Sequence, residues 1–265
     1  MKLTQQYSEK KSLLCVGLDT DIHKIPAFLL DYANPMLEFN RRIIEATKKY
    51  AIAYKINTAF YECMGTKGWE TMAETLSLIP ADIFTIADAK RGDIGNTSTM
   101  YAKTFFETMN FDSITVAPYM GEDSVKPFLA YPDKMVFLLA LTSNTGAQDF
   151  QWLQDKGKTL YQQVISTSQT WAADSVGELG YVVGATKADY IGEIREMCPD
   201  SWLLVPGVGA QGGDLQAVLK AGKTKIGGLL INASRSIIYA GKGEDFAEKA
   251  EAEARKMWEE INLII

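Results

Sequence analysis

Short apolar runs alternate with longer amphipathic stretches along the whole chain. The apolar runs are rich in β-formers and read as strands. They lie at Leu13–Leu18, Ile52–Ile56, Ile83–Ala87, Ser113–Ala117, Met135–Leu141, Tyr181–Val183, Trp202–Val205 and Gly227–Ile231. Apolar residues at helical spacing fall between them. This predicts helices over Pro35–Tyr50, Thr66–Leu78, from an Asn96 or Thr97 cap to Met109, Gly121–Ala130, Asp155–Ser175, Lys187–Met197, from an Asp214 cap to Gly222, and Gly243–Glu260. Eight strands that alternate with helices build a parallel sheet, and eight such units in one chain of 265 residues predict an α/β fold of (β/α)8 barrel type, a single catalytic domain over residues 1–265. An open doubly wound sheet would normally carry fewer strands and a phosphate loop after the first. Here the first turn, Gly17-Leu18-Asp19, is too short for a GxGxxG fingerprint.

One run breaks the apolar pattern sharply. After Ile83–Ala87 come Asp88, Lys90, Arg91 and Asp93, with Gly92 and Gly95 among them. By strand alternation Asp88 and Lys90 share a face. Opposite charges at the end of a core strand are costly unless paired. The plain alternative is a structural ion pair; the sharper one is a catalytic constellation.

Composition narrows the chemistry. Apolar residues make up 47% of the chain, enough for a large core, and the net charge of −6 argues against nucleic acid as a partner. Cys15, Cys63 and Cys198 are scattered and form no CxxC pair, which suggests reduced thiols, a cytoplasmic setting and no structural zinc. Met1–Lys11 is polar and carries no signal-peptide pattern, and no apolar run approaches the ~20 residues of a membrane span. The single histidine, His23, precedes Pro26 in a polar segment and reads as an exposed loop residue, so proton transfer falls to Lys, Asp, Glu, Tyr or Cys.

In a barrel, catalytic side chains collect at the C-terminal strand ends. The strand ends here offer Asp19, then Lys55 and Asn57, then Asp88, Lys90 and Asp93, then Thr142-Ser143-Asn144, then Gln211 among glycines, and finally Asn232, Ser234 and Arg235. Gly207, Gly209, Gly212 and Gly213 would let backbone N–H groups approach an anion that Arg235 could pair with bidentately, which implies a phosphorylated small-molecule substrate. Two lysines among two aspartates balance in charge, so no metal is needed to tolerate the cluster. The aspartates would hold Lys90 and Lys55 protonated, favouring Lys90 as a proton donor over an amine nucleophile. The Thr142–Lys156 connection is the longest polar one after a strand and reads as a candidate lid.

The block Asp88-Ala89-Lys90-Arg91-Gly92-Asp93-Ile94-Gly95-Asn96-Thr97 resembles the DxKxxD signature of the orotidine 5′-monophosphate decarboxylase family. Gly17-Leu18-Asp19, Lys55, the Pro206–Gly212 loop and Arg235 match it in order, along the whole chain, in the manner of the family's longer branch. The resemblance implies conversion of orotidine monophosphate to uridine monophosphate without metal or cofactor. It implies that Lys90 protonates C6, that Asp88 sits near the substrate carboxylate, and that Lys55 and Asp19 bind ribose hydroxyls, Lys55 also belonging to the charged tetrad. Asn57 would lie near that tetrad. Ser143 would read the pyrimidine, and Gln211 and Arg235 would hold the phosphate. It also implies a homodimer in which Asp93 and Thr97 reach into the partner's site, with no nucleic-acid or membrane partner. Asn232-Ala233-Ser234 stands before Arg235 where shorter members often have Val-Gly, so Ser234 is expected to supply a hydrogen bond there. Competing readings are a Mg²⁺-dependent sugar-phosphate decarboxylase or hexulose-phosphate synthase of the same signature group, and a non-enzymatic nucleotide-binding module.

Overall fold

A computed structural model describes residues 2–185, 188–208 and 214–265. Among them, parallel strands β1 (Leu14–Gly17), β2 (Ala53–Asn57), β3 (Phe84–Arg91), β4 (Ser113–Val116), β5 (Met135–Leu141), β8 (Glu178–Val183), β9 (Leu203–Pro206) and β10 (Leu229–Ala233) close a barrel in the order β1-β10-β9-β8-β5-β4-β3-β2. The remaining strands, β6 (Gln154–Asp155) and β7 (Lys158–Thr159), form a separate antiparallel hairpin. The chain divides into two compact units: Met1–Asp88 with Asn232–Ile265, and Ala89–Ile231.

In the first unit β1 pairs with β2 and β2 with β3, so that Gly17 faces Lys55 and Asn57 faces Asp88 in register. The strand cores are fully buried from Leu13 to Val16 and from Ala51 to Tyr54. Helix α1 (Lys2–Lys10) precedes β1, and Trp258 of α12 (Phe246–Asn262) donates its indole N–H to the Lys10 carbonyl at 3.0 Å. Helix α2 (Pro35–Thr47) starts where the Asn34 side chain accepts the Leu37 N–H at 3.2 Å, with Pro35 in the first turn. It buries Met36, Phe39, Asn40, Ile43, Ile44 and Thr47, a stripe at helical spacing. A short helix α3 (Ala59–Glu62) and α4 (Thr66–Leu78) follow β2, and α11 (Arg235–Ile238) follows β10.

In the second unit β4 pairs with β5, β5 with β8 and β8 with β9. Helix α5 (Gly95–Lys103) runs into a π turn at Thr104–Thr108; α6 (Glu122–Leu129), α7 (Ala147–Phe150), α8 (Leu160–Ala172), α9 (Ala188–Met197) and α10 (Leu215–Gly222) complete it. Asp214 caps α10 as the sequence suggests, its Oδ1 accepting from Gln216 and Ala217.

Three expectations change. Strand β3 continues through Lys90 and Arg91 instead of ending at Ala87, because Ile56 and Asn57 pair with Ala87 and Asp88 and the Arg91 carbonyl accepts the Ala117 N–H at 2.8 Å. Neither Asn96 nor Thr97 caps the next helix: it already starts at Gly95, with Ile94 at the cap position and no side-chain cap. The stretch from Asp155 is not helical until Leu160, because Lys156 (φ +50°) and Gly157 (φ +78°) make a left-handed turn between β6 and β7.

Candidate active site

Lysine 55 is the buried charge at the centre of the first unit. Its ammonium lies 3.1 Å from Asp19 Oδ1 and 3.0 Å from Asp88 Oδ2, with side-chain exposures of 5% for the lysine, 18% for Asp19 and 11% for Asp88. Burial works against the charged lysine, but the two carboxylates outweigh it and hold its pKa well above the usual lysine range. Lys55 is therefore a fixed cation at any physiological pH. Beneath it, Cys15 of β1 is fully buried, and its thiol is pushed up to about 12, mainly by burial.

Asp19 is held from behind by groups the sequence reading did not single out. Tyr239 donates its hydroxyl to the Asp19 carbonyl at 3.1 Å and accepts the Asp21 N–H at 2.7 Å. Thr20 donates to Asn40 Oδ1 at 2.6 Å, and the Asn40 amide donates to Tyr61 and Thr75, each at 3.0 Å. Tyr61 in turn donates to the Leu18 carbonyl at 3.1 Å. One signal existed: Asn40 is an amide on the largely apolar buried stripe of α2. Asn57 is half-buried, and its Oδ1 accepts the Ala59 N–H at 3.3 Å at the start of α3. Arg235 opens α11 and is exposed. Just before it, Asn232 Oδ1 and Ser234 Oγ are buried and have no hydrogen-bond partner among the described residues.

The second unit carries the rest of the β3 run. Lys90 is exposed, lies within β3 and has φ +46°. Its N–H donates to Thr115 Oγ1 at 2.9 Å. Arg91 turns back on its own strand, donating to the Ala89 carbonyl at 2.9 Å and lying over the rings of Tyr101 (5.4 Å) and Phe105 (5.5 Å). Asp93 Oδ1 accepts the Ile94 N–H at 2.7 Å, and the Asp93 N–H and carbonyl both bond the Ser98 hydroxyl. Thr97 is exposed in the first turn of α5. Ser143, half-buried, follows β5 and lies against Gly184. Gln211, Gly209, Gly212 and Gly213 fall outside the described residues. His23 is exposed, as expected.

A sequence model of the orotidine 5′-phosphate decarboxylase / HUMPS family matches residues 12–250. A Flavobacterium johnsoniae protein named orotidine 5′-phosphate decarboxylase is 58% identical, the match covering 100% of this chain and 97% of that one. A protein of the same name from Phocaeicola vulgatus is 54% identical over 100% and 98% of the two chains. The solved structure of Leishmania donovani OMP decarboxylase is 40% identical, covers 100% of this chain and 99% of that one, and superposes with a TM-score of 0.86. The Asp19–Lys55–Asp88 cluster, the charged run along β3 and these full-length similarities place the chain in the orotidine 5′-phosphate decarboxylase family.

Proposed function

We propose that this chain decarboxylates orotidine 5′-monophosphate to uridine 5′-monophosphate in pyrimidine biosynthesis, with Lys90 as the proton donor. The observation that carries the reading is the Asp88-x-Lys90 pair on β3 together with Lys55, locked between Asp19 and Asp88. In this reading the bond from C6 to the carboxylate breaks and its electron pair stays on C6. The Lys90 ammonium delivers a proton there as CO2 leaves, and the lysine regains its proton from solvent. A carbanion that forms near ammonium groups already fixed in place needs no reorganisation, which is electrostatic preorganisation. Asp88 near the substrate carboxylate would raise the ground state, since two unit charges 4 Å apart interact by about 4 kcal/mol at an effective dielectric of ~20.

Lys55 and Asp19 bind the ribose hydroxyls, with Asn57 beside them, while Ser143 reads the pyrimidine. Gln211 and Arg235 hold the phosphate, whose binding energy is spent on closure around the reacting carbon. Asp93 and Thr97 complete the site of a second copy, so the working form is a cytoplasmic homodimer.

The test is loss of orotidine monophosphate absorbance by purified protein, with and without EDTA. Turnover should survive the chelator, and Lys90→Ala should abolish it while the circular dichroism spectrum stays native. Full activity in that variant would sink the role of Lys90. Loss of turnover on chelation would favour a Mg²⁺-dependent relative.

A further inference from the structure

We propose that Gln151 is a positioning residue for the base-reading serine: its carboxamide clasps Thr142 and so fixes Ser143, setting affinity for the pyrimidine ring. The proposal rests on the reading of Ser143 given above.

Gln151 lies nine residues after Thr142, at the end of α7, yet the two are bonded twice. The Thr142 N–H donates to Gln151 Oε1 at 2.8 Å, and Gln151 Nε2 donates to Thr142 Oγ1, also at 2.8 Å. A backbone N–H can only donate, so Oε1 must face it, and the amide nitrogen is thereby forced onto the threonine hydroxyl. That hydroxyl, now an acceptor from Gln151, passes its own proton to Asn144 Oδ1 at 2.6 Å. Residues 142 and 144, on either side of Ser143, are thus both tied into one chain that begins at Gln151.

Gln151 is itself anchored. Its carbonyl accepts the Tyr161 N–H at 3.2 Å, and the Leu153 carbonyl accepts the Leu160 N–H at 2.8 Å, binding the far end of the segment to the start of α8. Next to it, Trp152 packs edge-on against Tyr161 and Tyr190, with ring centroids 5.5 and 4.9 Å apart. On the other side, Ser143 has no room to retreat. A Cβ on Gly184 would lie 2.8 Å from both the N and the Cβ of Ser143, so the serine rests directly on a bare α-carbon. Clasped through its neighbours and backed by Gly184, Ser143 is held in place before any ligand arrives. The longest polar connection after a strand is therefore fixed at its first three residues, among them Ser143, the one expected to meet the substrate.

The experiment compares competitive inhibition by uridine monophosphate and by ribose 5-phosphate, which has the phosphate and sugar but no base. The variants are Gln151→Met, Gln151→Glu and Ser143→Ala, with thermal unfolding measured alongside. Gln151→Met keeps the volume and removes both hydrogen bonds; it should weaken uridine monophosphate about tenfold and leave ribose 5-phosphate within about twofold. Gln151→Glu keeps an acceptor for the Thr142 N–H but no donor for its hydroxyl, and should fall between. An unchanged uridine monophosphate constant in Gln151→Met, or an equal loss for both inhibitors, overturns the proposal. If Gln151→Met unfolds, the intermediate, base-selective loss is required of Gln151→Glu, and its absence overturns the proposal equally. If Ser143→Ala leaves uridine monophosphate binding unchanged, the reading of Ser143 has failed and the proposal falls with it. A loss in Ser143→Ala without one in Gln151→Met strikes the clasp alone.

Discussion

Gly17, the last residue of β1, has Ser234 pressed against its α-carbon. A Cβ built at Gly17 would sit 1.9 Å from Ser234 Oγ, 2.9 Å from Ser234 Cβ and 3.4 Å from Asn232 Oδ1. Rotating the serine hydroxyl away relieves the first contact but not the second, which still lies inside the closest approach of two carbon atoms. Gly17→Ala should therefore cost about 1–3 kcal/mol, the usual range for overpacking a filled interior. At this chain length, that is a fall in Tm of about 2–4 °C per kcal/mol. Ser234→Gly removes both offending atoms, so the damage should be largely repaired in Gly17→Ala/Ser234→Gly. Ser234→Gly has its own backbone-entropy cost, and a double-mutant cycle subtracts it. Urea unfolding of the four proteins should give a favourable coupling of about 1–2 kcal/mol. Additivity within about 0.5 kcal/mol would mean that the two residues do not touch in the way described.

Two further outcomes follow from the charges. Lys55→Met removes a buried cation and leaves the half-buried Asp19 and Asp88 without its charge, and should cost about 3–5 kcal/mol at neutral pH. An unchanged midpoint in urea unfolding of Lys55→Met would contradict the ion-pair account. Glu38 is held at about 2, from its ordinary 4.5, chiefly by its hydrogen bond from Arg41 and also by that from Arg42, against an opposing contribution from burial. Its folded value is depressed, so its stabilisation is present above about pH 4.5 and is lost as pH falls towards 2. Glu38→Gln should flatten the stability profile over that window, and an unchanged slope would exclude the pair as a contributor.

What the sequence revealed, and what it hid, divides along physical lines. Met135–Leu141 and Thr66–Leu78 were legible to the residue because one is a continuous apolar run and the other ends at Ile79-Pro80. The hairpin at 154–159 was not, because Gln-Asp-Lys-Gly-Lys-Thr has no apolar pattern and only the left-handed pair at Lys156 and Gly157 defines it. The length of β3 was hidden for a related reason: its last residues are charged, and hydrogen bonds to neighbouring strands keep them in the sheet. At the site, Asp19, Lys55 and Asp88 could be grouped in advance because strand register carries side chains at strand ends to the same level. The support behind Asp19 could not, because Asn40, Tyr61, Thr75 and Tyr239 come from helices and a turn far apart in sequence, and only packing joins them. Gln151 escaped notice because a glutamine in a polar connection has no pattern to stand out from.

The left-handed backbone at Lys90 also constrains how this chain can vary. A side chain at φ +46° costs about 1–2 kcal/mol that glycine would not. Any selection that rewards thermal persistence alone, in a laboratory library or over generations without demand for the activity, should therefore drift towards glycine or asparagine at that position. Efforts to harden the protein should leave position 90 untouched, since the substitution that most relaxes the backbone would also remove the proposed proton donor.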